Sequence, residues 1–399
     1  MKTKLIPIVL AATLCLSLLA GCQSSELHSL SEKTPEESAA STNTTDTKGT
    51  TKDYTPAYKS YDPDEVMFTV NGTEVTWREL FYWYEYDVSN IENNNGDITD
   101  WDAEYSGANG KTYREYVTEN ALSTIKNYCA LESKAKDMGV TLTDEDKANI
   151  QTIWQNNVNS YGNGDEKAFT EYLEKQFLPK TLYDRINELS ALYQRMFVSM
   201  FGEKGEKLSE DEVVQKATEM GYVRAKHILL KTKDDSGTAL PEDQIAAKKA
   251  TIDKLLTELK GITDQTKLEA RFDELIKANS EDTGSAYFTD GYTFVSGGGS
   301  MEANFDTAVA KLGEYEVSDV VETNYGYHII LRLPLKATAA VEMKSETEST
   351  PLSYYVAQEM FGADTENWAN ESKVEYTKAY EKMDIANIFS KAVRTASAS

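Results

Sequence analysis

Across residues 66–220 apolar side chains recur at three- and four-residue intervals, the spacing of helices with one buried face. The section opens differently, with Val66-Met67-Phe68-Thr69-Val70 and Thr73-Glu74-Val75 joined by Asn71-Gly72, which predicts a hairpin. Thr76 with Glu79, Thr112 with Glu115 and Ser209 with Glu212 have capping-box spacing, and each predicts a helix start. Thr143 opens a helix to about Ser160, and Pro179 can occupy the first turn of another ending near Phe201. In the first helix Trp77, Leu80, Phe81, Tyr84, Val88 and Ile91 form a stripe, while Tyr82, Trp83 and Tyr86 put aromatics on other faces. That helix is either buried all round or leaves an aromatic surface able to hold unfolded chains.

From Gly221 to Leu335 the pattern changes. A strand at Tyr222–Leu230 is followed by helices at Pro241–Leu259 and Lys267–Asn279, a Gly/Ser-rich loop, a short helix at Glu302–Lys311, and strands at Glu316–Glu322 and Tyr327–Leu333. This is a compact α+β unit of order β-α-α-(β)-α-β-β. Two of the chain's three histidines sit in its first and last strands, in Ala225-Lys226-His227-Ile228-Leu229 and Gly326-Tyr327-His328-Ile329-Ile330. Taken singly, each is more simply a hydrogen-bonded core residue than a site. Residues Ser353 to about Val393 return to helical periodicity and are too few to hold a core alone, so they are expected to pack on the first helical section.

The N-terminus sets the compartment. Lys2 and Lys4 precede an apolar run from Leu5 to Leu19, and Leu19-Ala20-Gly21-Cys22 closes it with small residues before a cysteine. The run is short for a membrane span. This stretch resembles a bacterial lipoprotein signal, which implies cleavage before Cys22, acylation of that residue and an outward-facing position on the cell membrane. From Gln23 to about Asp62 the chain is rich in Ser, Thr, Glu, Lys and Pro and reads as a disordered tether. Once Cys15 leaves and Cys22 is acylated, Cys129 has no disulfide partner and reads as a buried small hydrophobe. No zinc or iron–sulfur spacing occurs, and no metal is expected. The formal charge of −25 over 399 residues, with no basic cluster, excludes a nucleic-acid binder.

Read together, Ala225-Lys226-His227-Ile228-Leu229, Asn279-Ser280-Glu281-Asp282, Met301 with Phe305, Leu312-Gly313-Glu314 with Val317-Ser318, and Thr323 through Ile330 follow one order over residues 224–333. In that order they resemble the parvulin-type peptidyl-prolyl cis/trans isomerases. The resemblance implies that His227 and His328 lie side by side on central strands with Thr323 bonded to them, and that Asp282 lies beside the rotating imide bond. It implies that Met301 and Phe305, with Tyr325, receive the substrate's proline ring. Rotation about an X-Pro bond faces a barrier of about 18–20 kcal/mol from amide resonance. A dry pocket that favours the twisted state needs neither nucleophile nor cofactor. The chain departs from the family's Gly-Gly-Asp-Leu-Gly run, carrying Phe288-Thr289-Asp290-Gly291-Tyr292, and follows it with the glycine-rich Ser296–Ser300 loop. After the first strand, Lys231-Thr232-Lys233-Asp234-Asp235 lacks the arginine cluster of phosphate-directed members.

The expected organisation is a signal peptide at 1–22, a tether at 23–62, a helical chaperone domain at 63–220, a parvulin-type domain at 221–335 inserted into it, and a C-terminal helical segment at 336–399 that packs back on the helical domain. With the lipobox, this arrangement resembles the PrsA-type foldase lipoproteins and, more distantly, the SurA-type periplasmic chaperones. It implies an isomerase and chaperone acting on unfolded or newly secreted proteins with X-Pro bonds, anchored to the bilayer through Cys22; a homodimer is one option for its assembly. The alternative is a holding chaperone whose isomerase domain is degenerate. A solute-binding lipoprotein is disfavoured, because two lobes of repeated βαβ units are absent from the pattern.

Overall fold

The computed structural model describes residues 50–286, 288–344 and 348–396, so the signal sequence, Cys22 and the tether up to residue 49 lie outside the described residues. Contacts divide these residues into two compact units: residues 50–199 with 361–396, and residues 200–360.

In the first unit the hairpin pairs Val66–Val70 with Thr73–Thr76. Asn71 and Gly72 both take positive φ, 51° and 82°, as a two-residue hairpin turn requires. The returning C-terminal strand Val374–Tyr376 adds to the other edge of Val66–Val70. Helices follow at Trp77–Asn95, Tyr113–Met138, Asp144–Tyr161, Glu166–Lys175 and Lys180–Phe201. Thr112 and Glu115 close a full capping box, as do Thr143 and Asp146. Thr76 makes no side-chain cap bond, and the Glu79 carboxylate accepts instead from Arg185 at 2.6 Å.

One expectation is corrected here. The stretch 50–62 is not a tether: Thr50–Asp53 pairs antiparallel with Val393–Ala396, and Tyr54 and Lys52 both bond Glu92, at 2.6 and 2.7 Å. Of the two readings of the helix Trp77–Asn95, burial holds, since Phe81, Tyr82, Trp83 and Tyr84 are all buried. Beyond Asn370 the C-terminal segment is also less helical than its periodicity predicts, with one short strand before and one after two single-turn helices.

The second unit is larger than the 221–335 span expected. The helix Glu210–Glu219, capped by the Ser209–Glu212 box, places Val213 and Ala217 against Tyr222, Leu335, Ala337, Leu352 and Val356. Residues 200–220 and 336–360 therefore belong with the α+β core. Apolar residues on both flanks of that core had no partner in sequence, and the shared cluster supplies one.

Its four-stranded antiparallel sheet has the order Tyr292–Val295, Tyr222–Lys231, Gly326–Leu333, Val321–Glu322. One face packs Ile228, Leu230, Ile329 and Leu331 against the helices Glu242–Lys260 and Gln265–Asn279. The other packs Val223, Ala225 and Ile330 against Phe305 and Val309 of the short helix Ala303–Lys311. Of the strand expected at Glu316–Glu322 only Val321–Glu322 is regular. At Ser318 the hydroxyl as well as the backbone bonds Ile330, so the ladder there is replaced by side-chain pairing.

Candidate active site

Register brings the two histidines together. His227 lies opposite Ile330 and His328 opposite Leu229, so the imidazoles are diagonal neighbours on one sheet face. Gly326 helps fix that register: its φ is 150°, and a Cβ there would stand 2.1 Å from the Leu230 carbonyl oxygen. The rings stack nearly parallel, 9° apart with centroids at 5.1 Å. Phe305 meets both edge-on, at 5.2 and 5.6 Å.

A row of hydrogen bonds runs through the pair. Asp282 Oδ2 lies 3.0 Å from His227 Nε2, His227 Nδ1 lies 2.9 Å from His328 Nδ1, and His328 Nε2 lies 2.8 Å from Thr323 Oγ1. The Tyr292 hydroxyl donates to the same Asp282 oxygen at 2.6 Å, and the Gly284 N–H donates to the other at 3.1 Å. Burial acts to raise the Asp282 pKa, but the bonds from His227, Tyr292 and Gly284 together hold it well below the usual carboxylate range. Burial, reinforced by His227, pushes His328 down to about 3, so it is neutral at physiological pH.

An ionised Asp282 only accepts, so His227 Nε2–H donates to it, and between His227 Nδ1 and His328 Nδ1 one nitrogen donates while the other accepts. His328 Nε2 shares a hydrogen bond with Thr323 Oγ1, which also accepts from the Tyr325 N–H at 3.1 Å.

Beside the row lies a cavity of about 340 Å³ lined by His227, Leu229, Lys231, Glu281, Asp282, Thr283, Tyr292, Met301, Glu302, Phe305, Tyr325 and His328. Six residues named from sequence, His227, Asp282, Met301, Phe305, Tyr325 and His328, line this one space, and Thr323 stands behind it on His328. Phe305 is buried, Met301 half-buried, and Tyr325 is 61% exposed at the rim. The cavity combines an apolar wall with a fixed polar one, an arrangement suited to gripping a ring while a neighbouring carbonyl turns.

Sequence reasoning missed two residues. Tyr292 stands where the departure from the family run was noted, yet nothing in a lone tyrosine shows that its hydroxyl reaches Asp282. Asp306, next to Phe305, is buried and accepts Ser296 Oγ and Gly297 N–H, each at 2.7 Å. It thereby fastens the start of the glycine-rich loop that leads to Met301.

Residues 227–333 match the family model of the rotamase PPIC-type PPIase domain. Among curated relatives, the foldase protein PrsA of Staphylococcus aureus strain bovine RF122 / ET3-1 is 31% identical over 186 residues, 47% of this chain and 51% of the relative. The PrsA of strain MRSA252 gives the same figures. The chain thus spans about half the length of the curated relatives it matches. The solved structure of PrsA from Bacillus subtilis is 18% identical with a TM-score of 0.21, covering 83% of this chain and 92% of the other.

Proposed function

We propose that the chain is an extracytoplasmic foldase, in which residues 227–333 catalyse cis/trans isomerisation of X-Pro bonds in unfolded or newly secreted proteins. The first unit would hold such clients, and acylated Cys22 would keep the protein on the outer face of the cell membrane. The observation that carries this reading is the cavity in which Met301 and Phe305 face a hydrogen-bonded row from Thr323 to Asp282, inside a segment that matches the PPIC-type domain.

The chemistry needed is small. Proline's ring sits against Met301 and Phe305, and the twisted imide, whose nitrogen regains lone-pair character, is favoured over both planar forms by a dry site. His227 and His328, mutually bonded, form a stiff floor, and Asp282 orients His227. X-Pro isomerisation is slow enough to limit folding, so a surface-tethered catalyst would act where exported chains fold.

The test is turnover of a short Ala-X-Pro peptide by the mature protein, with suppression of client aggregation measured alongside. His227→Ala and His328→Ala should lower turnover at least tenfold and leave aggregation suppression largely intact. Background turnover in the unmodified protein would remove the isomerase claim and favour the holding chaperone. For the anchor, Cys22→Ser should release the protein from membranes of cells that acylate it; unchanged membrane retention would exclude lipidation at Cys22.

A further inference from the structure

On one side the strand Tyr222–Lys231 is paired without a break from Arg224 to Lys231, against Gly326–Leu333. On the other, the short strand Tyr292–Val295 covers it from Tyr222 to Ala225 and stops. Cover resumes at Leu229, whose N–H donates to Ser280 Oγ at 3.1 Å and whose carbonyl accepts Glu281 N–H at 2.8 Å. Backbone groups alternate sides along a strand. Gly221, Leu229 and Lys231 point away from Gly326–Leu333, as their bonds to Ser296, Ser280, Glu281 and the Glu281 carboxylate show. His227, at the same parity with unbroken register, therefore turns its N–H and carbonyl into the gap.

The gap is roomy. A second cavity of about 440 Å³ opens there, lined by Lys226, His227, Asp273, Ile276, Lys277, Ser280, Ser285, Phe288, Thr289, Gly291 and Tyr292. It shares His227 and Tyr292 with the first cavity. Tyr292 stands between the two, stacked on Phe288 at 4.7 Å and edge-on to His227 at 5.4 Å. The ammonium of Lys226 is buried and already held by Asp273 and Glu269 at 2.8 and 3.1 Å, so its charge is paired within the protein. What remains for a ligand is the Ile276, Phe288 and Tyr292 surface and one residue's worth of open sheet edge.

We propose that this cavity is a second subsite for the client chain, which runs past Tyr292 in extended form, pairs its backbone with His227 and seats a bulky apolar side chain against Ile276 and Phe288. The identity of the occupant as client chain rests on the isomerase reading above. Extended peptide spans about 3.3 Å per residue, so crossing one aromatic side chain separates that apolar residue from the proline by roughly two to three positions. Adding a strand to an open edge lets main-chain bonds supply affinity while one side chain supplies selectivity. Histidine's ring and backbone would thus serve the two subsites at once.

The test scans a single leucine along a polyalanine peptide with one central proline. With the full-length protein, KM should fall at least fivefold at one register two or three residues from proline, and that peptide should slow hydrogen exchange of the His227 amide at least tenfold. Thr289→Trp, which fills the cavity from an exposed rim position, should flatten the register dependence and abolish the protection. Unchanged exchange at His227 under saturating peptide, or a Thr289→Trp profile as steep as the parent's, overturns the proposal. Absence of turnover on every peptide would instead remove the isomerase reading, while the His227 amide would still report whether the edge is used.

Discussion

The Tyr292 hydroxyl donates to Asp282 Oδ2 at 2.6 Å, the oxygen that His227 Nε2 also approaches at 3.0 Å. Asp282 thus orients the first imidazole while Tyr292, ten positions away, and the Gly284 N–H hold its two oxygens. Tyr292 also lines the cavity, so one side chain both walls the site and supplies a donor to its carboxylate.

Removing that hydroxyl gives a defined expectation. Tyr292→Phe should leave the ring packing intact, cost about 1–2 kcal/mol through the lost bond to a half-buried carboxylate, and let the Asp282 pKa rise toward its usual value. A carboxylate with a depressed folded pKa contributes stability that is present above its unfolded value and is lost as pH falls through the folded one. In Tyr292→Phe that loss should be smaller and complete at higher pH, and the acid limb of the pH–rate profile should move up. Denaturant titrations and peptide turnover from pH 3 to 7 check both.

Asp306 should control the apolar half of the site without touching substrate. Asp306→Ala strands the Gly297 N–H and frees the loop preceding Met301, at a cost of about 1–3 kcal/mol. The expected signature is a raised KM with little change in kcat. Asp306→Asn retains one acceptor oxygen and should lie between. A lowered kcat with normal KM would place the effect on the imidazole row.

Much of this could be read from residues 222–333 because the alternation around His227 and His328 is local and both faces of the sheet are buried. Other parts depended on distant partners. Thr50–Asp53 has no alternation of its own and is ordered by Val393–Ala396, more than three hundred residues on. Glu79 has perfect capping-box spacing, yet a guanidinium on a helix a hundred residues later outcompetes the Thr76 backbone for it. Tyr292 and Asp306 are single polar residues whose roles exist only once loop and sheet are closed.

In the first unit Arg185 binds Glu79 at 2.6 Å and Glu132 at 2.7 and 2.8 Å, and donates to Cys129 Sγ at 3.4 Å. Arg185→Met removes the cation but leaves the Glu79 side chain, 13% exposed, uncompensated. Breaking such a pair costs about 3–5 kcal/mol, whereas replacing both partners by apolar groups is often neutral. The expected outcome is a strongly destabilised Arg185→Met and partial recovery in Arg185→Met with Glu79→Leu, read by urea unfolding. Equal losses in the single and double variants would show that the network is exposed to solvent.

The two units should respond to acid in opposite directions. In the first, burial pushes Asp87 up to about 7, opposed by its bonds from Asn120 at 2.8 and 2.9 Å. A raised folded pKa gives stability that is complete below the unfolded value near 3.9 and is lost as pH rises through about 7. In the second, burial depresses His328 to about 3. Below pH 6.5 the unfolded histidine takes up a proton that the folded one refuses, so stability falls until about pH 3, by an amount on the order of a few kcal/mol. Lowering pH from 7.5 to 5 should therefore raise the unfolding temperature of the unit containing Asp87 and lower that of the unit containing His328. Asp87→Asn should weaken the first trend, the remainder coming from Glu85, which burial pushes up to about 8, and His328→Gln should flatten the second, each without altering the other. Calorimetry over that range, with the two transitions followed separately, tests the assignment; parallel shifts of both transitions in the unmodified protein would refute it.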